Sequence, residues 1–453
     1  MTDPDPRDAA PGGLAHRLHH NRLGRRDVFW LFGASVGASA LSGCAVSPVT
    51  GERILVGLSE EQEKAIDAQQ APHQFSQDLG AVQDPAVNAY VAEVAARLEP
   101  HVQRRGMPYS TRVLNANYVN AYTFPAGAMG VTRGIMADMQ DEAQLAALLG
   151  HELGHVNARH AAQRQGQALV AQVAVVGVAV AAGDSGWAPL AGVGGQIGAS
   201  ALLARYSRDH EREADALGQR YLVAAGYPAQ GMVGLHQLLV SGHEKQPGLL
   251  ETLFSSHPMS AERVATARQL AEGPYAGTRS APAQRERYMD RTASLRRLKP
   301  TITACQNGEL AMAKKALPEA QQQFEAALKH APEDYAANLR MAQCLAAQDR
   351  LADARRYAET ARRVYPSEAQ AMKLGATLRL GLREPAAAFA ELQAFERALP
   401  GDPGVLFLKG VSLEGMGQPR QAAEHYAAFL RLGAQGGAAQ HAVARLQAMG
   451  YGR

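Results

Sequence analysis

Two histidines and a glutamate near the middle of the chain have the spacing of a metal-dependent hydrolase. His151 and His155 are four residues apart, and Glu152 follows the first of them. Residues four apart on an α-helix share one face, so both imidazoles can reach a single metal ion. Glu152 can then hold a water beside that ion. Leucines at helical spacing and the absence of Pro predict that the run from about 139 to 164 is such a helix.

A third ligand has to come from elsewhere in the chain, because a catalytic zinc site uses three protein ligands and one open position. The extended motif with a third histidine would need Gly at 158 and His at 161, but the chain has Ala158 and Ala161. His160 misses that position by one residue. We therefore expect His160 to have a supporting or structural role.

A carboxylate ligand is available on a predicted helix within residues 205–227. Glu211 and Asp215 are four apart and lie on one face, so Glu211 can coordinate the metal while Asp215 accepts the free ring N–H of a ligating histidine. A solvated helix is the alternative interpretation of this mixed acidic and basic run. The histidine pair favours the metal site. We expect Glu213 to be solvated.

Four motifs together resemble the zinc metallopeptidase family of HtpX and the CAAX prenyl protease. They are the His151–His155 motif, Glu211–Asp215 as Glu-x-x-Ala-Asp, Asn120-Ala121-Tyr122, and Ser256-His257-Pro258 followed by Arg263. The resemblance implies one Zn²⁺ per chain, with His151, His155 and Glu211 as its ligands. It also implies that Glu152 is the catalytic carboxylate and that Asp215 supports a ligand.

His257 and Arg263 resemble a family pair near the active site. His257 is a candidate for the open metal position in a resting form or for stabilising the oxyanion, and a residue of a surface turn is the alternative. Residues 126–132 are predicted to present a strand edge to an extended peptide substrate.

A second pattern occupies the C-terminal third of the chain. Small, bulky, small and Pro positions recur with a period of 34 residues, as in Ala320, Phe324, Ala327, Pro332 and then Ala354, Ala358, Ala361, Pro366. The period resembles the tetratricopeptide repeat, a solenoid that binds partners and has no chemistry of its own. The combination resembles the periplasmic BepA-like branch, which acts in outer-membrane protein quality control. Implied partners are misassembled outer-membrane proteins and their insertion machinery.

The N-terminus has the pattern of an export signal. Arg25 and Arg26 precede a short apolar run that ends in Leu41-Ser42-Gly43-Cys44, which resembles the lipobox of a bacterial lipoprotein. We expect residues 1–43 to be removed and Cys44 to be lipidated, which places the protein in the periplasm on the inner face of the outer membrane. An uncleaved membrane anchor is the alternative.

Composition excludes one class of partner and leaves two questions open. The net charge of +3 is small for 453 residues and no long basic block occurs, so nucleic acid is not an expected partner. Cys305 and Cys344 either form a disulfide or are two buried free thiols. We expect the nearly uncharged run 168–203 to form a buried or lid-forming helical pair, and a membrane-dipping hairpin is the alternative.

The predicted fold is mainly α with a small β-sheet in an α+β gluzincin-type peptidase domain, followed by an α-solenoid. We place the peptidase at 44–272, a linker at 273–300 and the repeats at 301–453. Two or three short strands are expected within 111–136. The leading function is a periplasmic zinc endopeptidase. The alternatives are a latent or chaperone-like scaffold and a membrane-embedded protease of the prenyl-processing type.

Overall fold

The computed structural model describes residues 44–168, 205–245 and 247–451. The predicted export signal 1–43 and residues 169–203 of the predicted helical pair lie outside the described residues. The described chain falls into two compact units, one of residues 44–59 and 162–168 and one of residues 60–161 and 205–451. Among the described helices, none combines the length and apolar character that a bilayer crossing requires.

The smaller unit contains a β-hairpin. Strand β1 (Cys44–Val46) pairs antiparallel with β2 (Arg53–Leu55). Its connection is closed where the backbone N–H of Ser47 donates to Glu52 O at 2.7 Å. Cys44, the predicted lipidation site, is exposed at the start of this hairpin. Its lipidation stays a prediction.

The sheet of the larger unit places its strands in an order that the sequence pattern did not predict. Helices α1 (Glu60–Gln77) and α2 (Pro85–Leu98) precede β3 (Ser110–Leu114), β4 (Ala121–Thr123) and β5 (Ala128–Thr132). The order is β3-β5-β4, with β5 parallel to β3 and antiparallel to β4. The predicted edge at 126–132 was therefore wrong, because β5 is the central strand. The edge strand next to the metal-binding motif is β4.

A buried helix forms the centre of this unit. After α3 (Arg133–Asp138), α4 (Glu142–Asn157) begins where the side chain of Asp141 accepts the Gln144 N–H at 2.8 Å. All residues of α4 are buried. Two residues after its end, Arg159 adopts the left-handed conformation at φ 57°. Four further helices pack beyond it: α5 (Arg208–Ala224), α6 (Gln230–Lys245), α7 (Pro247–Ser256) and α8 (Ala261–Glu272).

Small residues let α4 and α5 approach closely. A Cβ added at Gly154 would lie 2.8 Å from Ala214 O, and one added at Gly218 would lie 2.7 Å from His151 N. Neither position has room for a side chain, because both neighbours are backbone atoms. The two helices that carry the predicted metal ligands are therefore in backbone contact.

The C-terminal region is a helical repeat, as predicted. Two short helices, α9 (Arg285–Arg291) and α10 (Ala293–Arg297), precede it. The repeat helices are α11 (Lys299–Ala313), α12 (Leu317–His330), α13 (Tyr335–Ala347), α14 (Leu351–Val364), α15 (Ala369–Gly381), α16 (Pro385–Ala398), α17 (Pro403–Gly415), α18 (Pro419–Arg431) and α19 (Gly436–Ala448). The period residues Phe324 and Ala354 are fully buried in one core. Cys305 and Cys344 lie in that core as free thiols, so the structure favours the second of the two alternatives.

Residues 273–300 are packed against the peptidase elements. Tyr288 is fully buried and its hydroxyl donates to Met136 O at 2.6 Å. Arg287 Nη1 donates to Glu142 Oε1 at 2.6 Å. Composition alone predicted a linker here, whereas the segment forms α9, α10 and a short 3₁₀ turn at Ala276–Thr278. The proposed domain limits themselves stay a prediction.

The first repeats pack directly on the peptidase elements. Arg133 is fully buried and donates from Nη1 to Asp334 Oδ2 at 2.6 Å and from Nε to Asn117 Oδ1 at 2.9 Å. Leu79, which follows α1, packs in an apolar cluster with Tyr335 and Leu339. The sheet region and the inner helices of the repeats therefore share one interior.

We predict that the Arg133–Asp334 pair contributes strongly to stability. Asp334→Asn keeps the shape of the side chain but leaves the Arg133 charge buried without a counter-charge, which should lower the free energy of unfolding by about 3 kcal/mol. Urea denaturation followed by circular dichroism measures the change. The matched control is Glu333→Gln, which removes the exposed pair with Arg363 and should cost less than about 1 kcal/mol. Equal effects of the two variants would contradict the prediction.

Candidate active site

Four potential metal donors converge between α4, α5 and the end of α7. His155 Nε2 lies 3.1 Å from His151 Nε2 and 3.3 Å from Glu211 Oε1. His257 Nδ1 lies 3.1 Å from Glu211 Oε1 and 3.4 Å from His151 Nε2. All four side chains are buried. The structure therefore brings the three predicted ligands together and adds His257 to them.

The second ring nitrogen of each motif histidine has its own partner. His151 Nδ1 lies 2.9 Å from Asp215 Oδ1, whereas the helical spacing had indicated only that Asp215 would contact one of the two motif histidines. His155 Nδ1 lies 2.9 Å from His160 Nδ1, and His160 Nε2 lies 3.1 Å from Glu213 Oε2. These contacts orient the Nε2 atoms of both motif histidines towards the common centre.

Glu213 was wrongly expected to be solvated. Its side chain is about one-third exposed and pairs with buried His160. The hydrogen bond from His160 lowers the pKa of Glu213 below its usual value. His160 has the supporting position that the sequence indicated, one contact away from His155.

Arg263 bridges the two buried carboxylates of α5. Its Nε and Nη2 donate to Asp215 at 2.6 and 2.8 Å, and its Nη1 donates to Glu211 Oε2 at 2.7 Å. Burial alone would raise the pKa of Asp215, but the charges of His236 and Arg263 outweigh it and hold that pKa well below its usual value. Arg263 is therefore placed to position Glu211 and Asp215.

Glu152 lies beside the donor cluster with an unsatisfied oxygen. The side chain is almost fully buried, and within the described part of the chain its Oε2 has no hydrogen-bond partner. Its Oε1 lies 4.0 Å from His257 Nε2. Burial raises the pKa of this carboxyl group above its usual value. A raised pKa favours proton uptake by Glu152.

A cavity of about 120 Å³ opens next to His257. Tyr206 lies at its boundary and stacks on His155, with ring centroids 3.9 Å apart and an interplanar angle of 21°. Asn120 and Thr123 line it from the β4 side. Asn120 Oδ1 is buried and has no hydrogen-bond partner among the described residues.

Sequence reasoning missed two residues of this site. Tyr206 stacks on a predicted ligand, and His236 Nε2 lies 3.3 Å from Asp215 Oδ1. Tyr206 immediately precedes Ser207, the N-cap of α5, so its closeness to the ligand helix was a usable signal. His236 is a single histidine on α6, and no local pattern distinguishes it from an ordinary core residue.

The donor set fits one divalent metal ion. Ligand atoms about 2.0–2.2 Å from a tetrahedral ion are separated from each other by about 3.3–3.6 Å. Five of the six pairs among His151, His155, Glu211 and His257 have donor atoms 3.1 to 3.6 Å apart, counting either oxygen of Glu211. One ligand atom from each of the four residues lies within 4.8 Å of the others. Burial lowers the pKa of His155 well below its usual value, which keeps the ring neutral and its lone pair available. Imidazole nitrogen and carboxylate oxygen suit zinc and neighbouring transition metals.

Comparison with known proteins agrees with this geometry. A family model described as peptidase family M48 matches residues 81–271, and a tetratricopeptide repeat model matches residues 311–377. Metalloprotease YcaL of Escherichia coli strain K12 is 32% identical over 209 residues, which cover 46% of this chain and 78% of that protein. The chain belongs to peptidase family M48. M48 metalloproteases are metal-dependent, so the predicted metalloendopeptidase class is confirmed.

Two longer relatives share the M48 similarity over less of their length. The beta-barrel assembly-enhancing protease of Escherichia coli strain K12 is 27% identical over 197 residues, and a putative protease of that name from Vibrio cholerae serotype O1 is 28% identical over 205 residues. Each match covers 42% of this chain and 40% of the relative. The chain thus spans less than half of the length of these two proteins.

We predict that Arg263 supports metal binding through Glu211 and Asp215. Arg263→Ala should leave two buried carboxylates without their guanidinium partner and lower metal affinity by roughly 10- to 100-fold. Competition between the protein and a chelator for Zn²⁺ measures this affinity. Arg212→Ala is the control, because Arg212 forms exposed ion pairs on the outer face of the same helix. An affinity unchanged in Arg263→Ala would contradict the positioning role.

Proposed function

We propose that the protein is a zinc endopeptidase of the cell envelope that hydrolyses misfolded or misassembled outer-membrane proteins. The observation that carries the activity is the buried Oε2 of Glu152, unpaired within the described residues and next to the converging donors His151, His155 and Glu211. The names of the beta-barrel assembly-enhancing proteases support the substrate class. The repeats supply a binding surface for these substrates or for assembly machinery.

The proposed chemistry needs one zinc ion, which when bound polarises the scissile carbonyl and lowers the pKa of water. Glu152 takes the proton of the attacking water at Oε2 and returns a proton to the leaving amine. Asp215 fixes the orientation of His151, and the His160–Glu213 pair does the same for His155. Arg263 holds Glu211 and Asp215 in place.

We propose that the substrate binds in an extended conformation along β4. This strand is an edge of the sheet within the described residues, and its Tyr122 and Thr123 line the cavity beside His257. Backbone hydrogen bonds to a strand edge bind peptides that share little sequence. Asn120 Oδ1, just before this strand, is an acceptor without a partner among the described residues and is placed to accept a substrate N–H.

A latent or chaperone-like role is the second candidate, and the position of His257 favours it. His257 Nδ1 lies among the donors at 3.1 Å from Glu211 Oε1, where it can fill the position that a substrate-accessible metal needs. A resting enzyme with four protein ligands would cleave slowly until α7 moved His257 away.

The proposed location is the periplasm, with lipidated Cys44 as the membrane anchor.

We predict that Glu152→Gln binds zinc normally and loses at least about 100-fold in casein cleavage, because the general base is removed and the ligands are kept. Zinc content by mass spectrometry and casein hydrolysis by the purified mature protein measure the two properties. Glu213→Gln is the control for a glutamate that contacts a histidine without facing the reaction centre. Proteolysis retained by Glu152→Gln would refute the assignment.

We also predict that His257→Ala cleaves casein faster than the unmodified protein, with about one zinc per chain retained by His151, His155 and Glu211. The comparison uses the same casein assay and zinc measurement. A slower variant with full zinc content would assign His257 to the reaction itself. Zinc binding without cleavage in any variant would favour the latent or chaperone-like role.

A further inference from the structure

The cavity beside His257 has walls without formal charge. Its aromatic walls are Tyr118, Tyr122 and Tyr206, and its rim carries Thr252 and Ser255. Apart from the titratable His257, none of the described residues that line it is Asp, Glu, Lys or Arg. A charged group that entered it would lose hydration without gaining a counter-ion from these walls.

Two of these tyrosines donate hydrogen bonds to one buried carboxylate, which fixes their orientation. The hydroxyls of Tyr118 and Tyr122 donate to Asp78 Oδ1 and Oδ2, each at 2.6 Å. Gln74 Nε2 donates to the same Oδ2 at 3.0 Å. Both tyrosines are therefore held in place at their hydroxyl groups, and the side chain of Tyr122 is nearly fully buried.

The position of Asp78 is itself fixed by packing. The next residue, Leu79, has φ 69°, a conformation that a leucine rarely adopts. Leu79 is nearly fully buried in the cluster with Tyr335 and Leu339, which holds this turn in place. The carboxylate that anchors Tyr118 and Tyr122 is thereby tied to the first repeats.

We infer that this cavity is the specificity pocket for one substrate residue next to the scissile bond and that it accepts an uncharged aromatic side chain. The inference rests on the proposed peptidase function and adds the substrate preference of that same site. Tyrosine rings bind aromatic side chains in edge-to-face or offset geometry. Asp78 is a positioning residue that sets the shape of the pocket through Tyr118 and Tyr122. Unassembled outer-membrane strands expose such aromatic residues, which normally form girdles at the membrane interfaces.

The experiment digests a peptide mixture of known sequences with the zinc-loaded mature protein and reads the cleavage sites by mass spectrometry. We expect Phe, Tyr or Trp to be enriched at one position beside the cleaved bond, and Asp, Glu, Lys and Arg to be depleted there. Two fluorogenic peptides made from a cleaved sequence, one with Phe and one with Ala at that position, then give kcat/KM values.

Tyr118→Ala should lower kcat/KM for the Phe peptide at least about tenfold and leave the Ala peptide within about twofold, because Tyr118 lines the cavity but lies outside β4. Asp78→Asn should lower kcat/KM for the Phe peptide by a smaller factor and likewise leave the Ala peptide within about twofold. Asp138→Asn, which changes a partly exposed carboxylate on α3, should alter neither value. Tyr118 is only partly buried, so its Ala variant is expected to fold. If Tyr118→Ala does not fold, Tyr118→Leu replaces it, because it removes the ring and keeps more of the side-chain volume.

The outcomes separate the two proposals. Equal losses on both peptides, or cleavage sites rich in charged residues at both flanking positions, would overturn the pocket inference and leave the peptidase function standing. No cleavage of any peptide by the zinc-loaded protein or by His257→Ala would overturn the peptidase function itself.

Discussion

Charge balance within one buried volume is the constraint on which the candidate site depends. Glu211 and Asp215 are both buried on the same face of α5, and an isolated carboxylate in such a place is strongly unfavourable. Arg263 donates to both of them. Four histidines surround the same pair, so each of its oxygens has a polar neighbour: His151, His155, His236 and His257. A divalent cation would add the positive charge that this acidic pair can still accept.

The distance between two helices determines whether these charges can meet. Gly154 and Gly218 remove the side chains that would separate α4 from α5, and the backbones touch at these points. A helix pair at the usual separation of about 8–10 Å leaves room for side chains between the axes. Here the side chains beside the contact are free to meet one another, which brings His155 within 3.3 Å of Glu211.

Sequence reasoning was most successful where the geometry is local. The spacing of His151 and His155, and that of Glu211 and Asp215, defines one face of one helix whatever the rest of the fold does. A contact of Asp215 with one of the two motif histidines followed from that spacing together with the need to orient a ligand, and it is made with His151. The repeat period was equally local, because each repeat packs on its neighbours.

The failures were non-local. Strand order depends on which strands pair, and a short run such as 128–132 has the same pattern at the centre of a sheet as at its edge. His236 and Tyr206 reach the site only through tertiary packing. The linker proposed at 273–300 stays a prediction, and composition gave no sign that Tyr288 fills an interior position there. The family resemblance placed Arg263 near the site, but its bonds to both carboxylates required the coordinates.

Leu79 links the peptidase part of the larger unit to the first repeats, and this link limits the substitutions that the protein can accept during evolution. Its side chain lies among residues of α13, and Asp78 beside it anchors two tyrosines of the cavity. The first repeats are therefore part of the interior of the peptidase. A substitution in α13 that is neutral for the solenoid alone would still alter the cleft, so this repeat is not free to diverge or to be exchanged as a module.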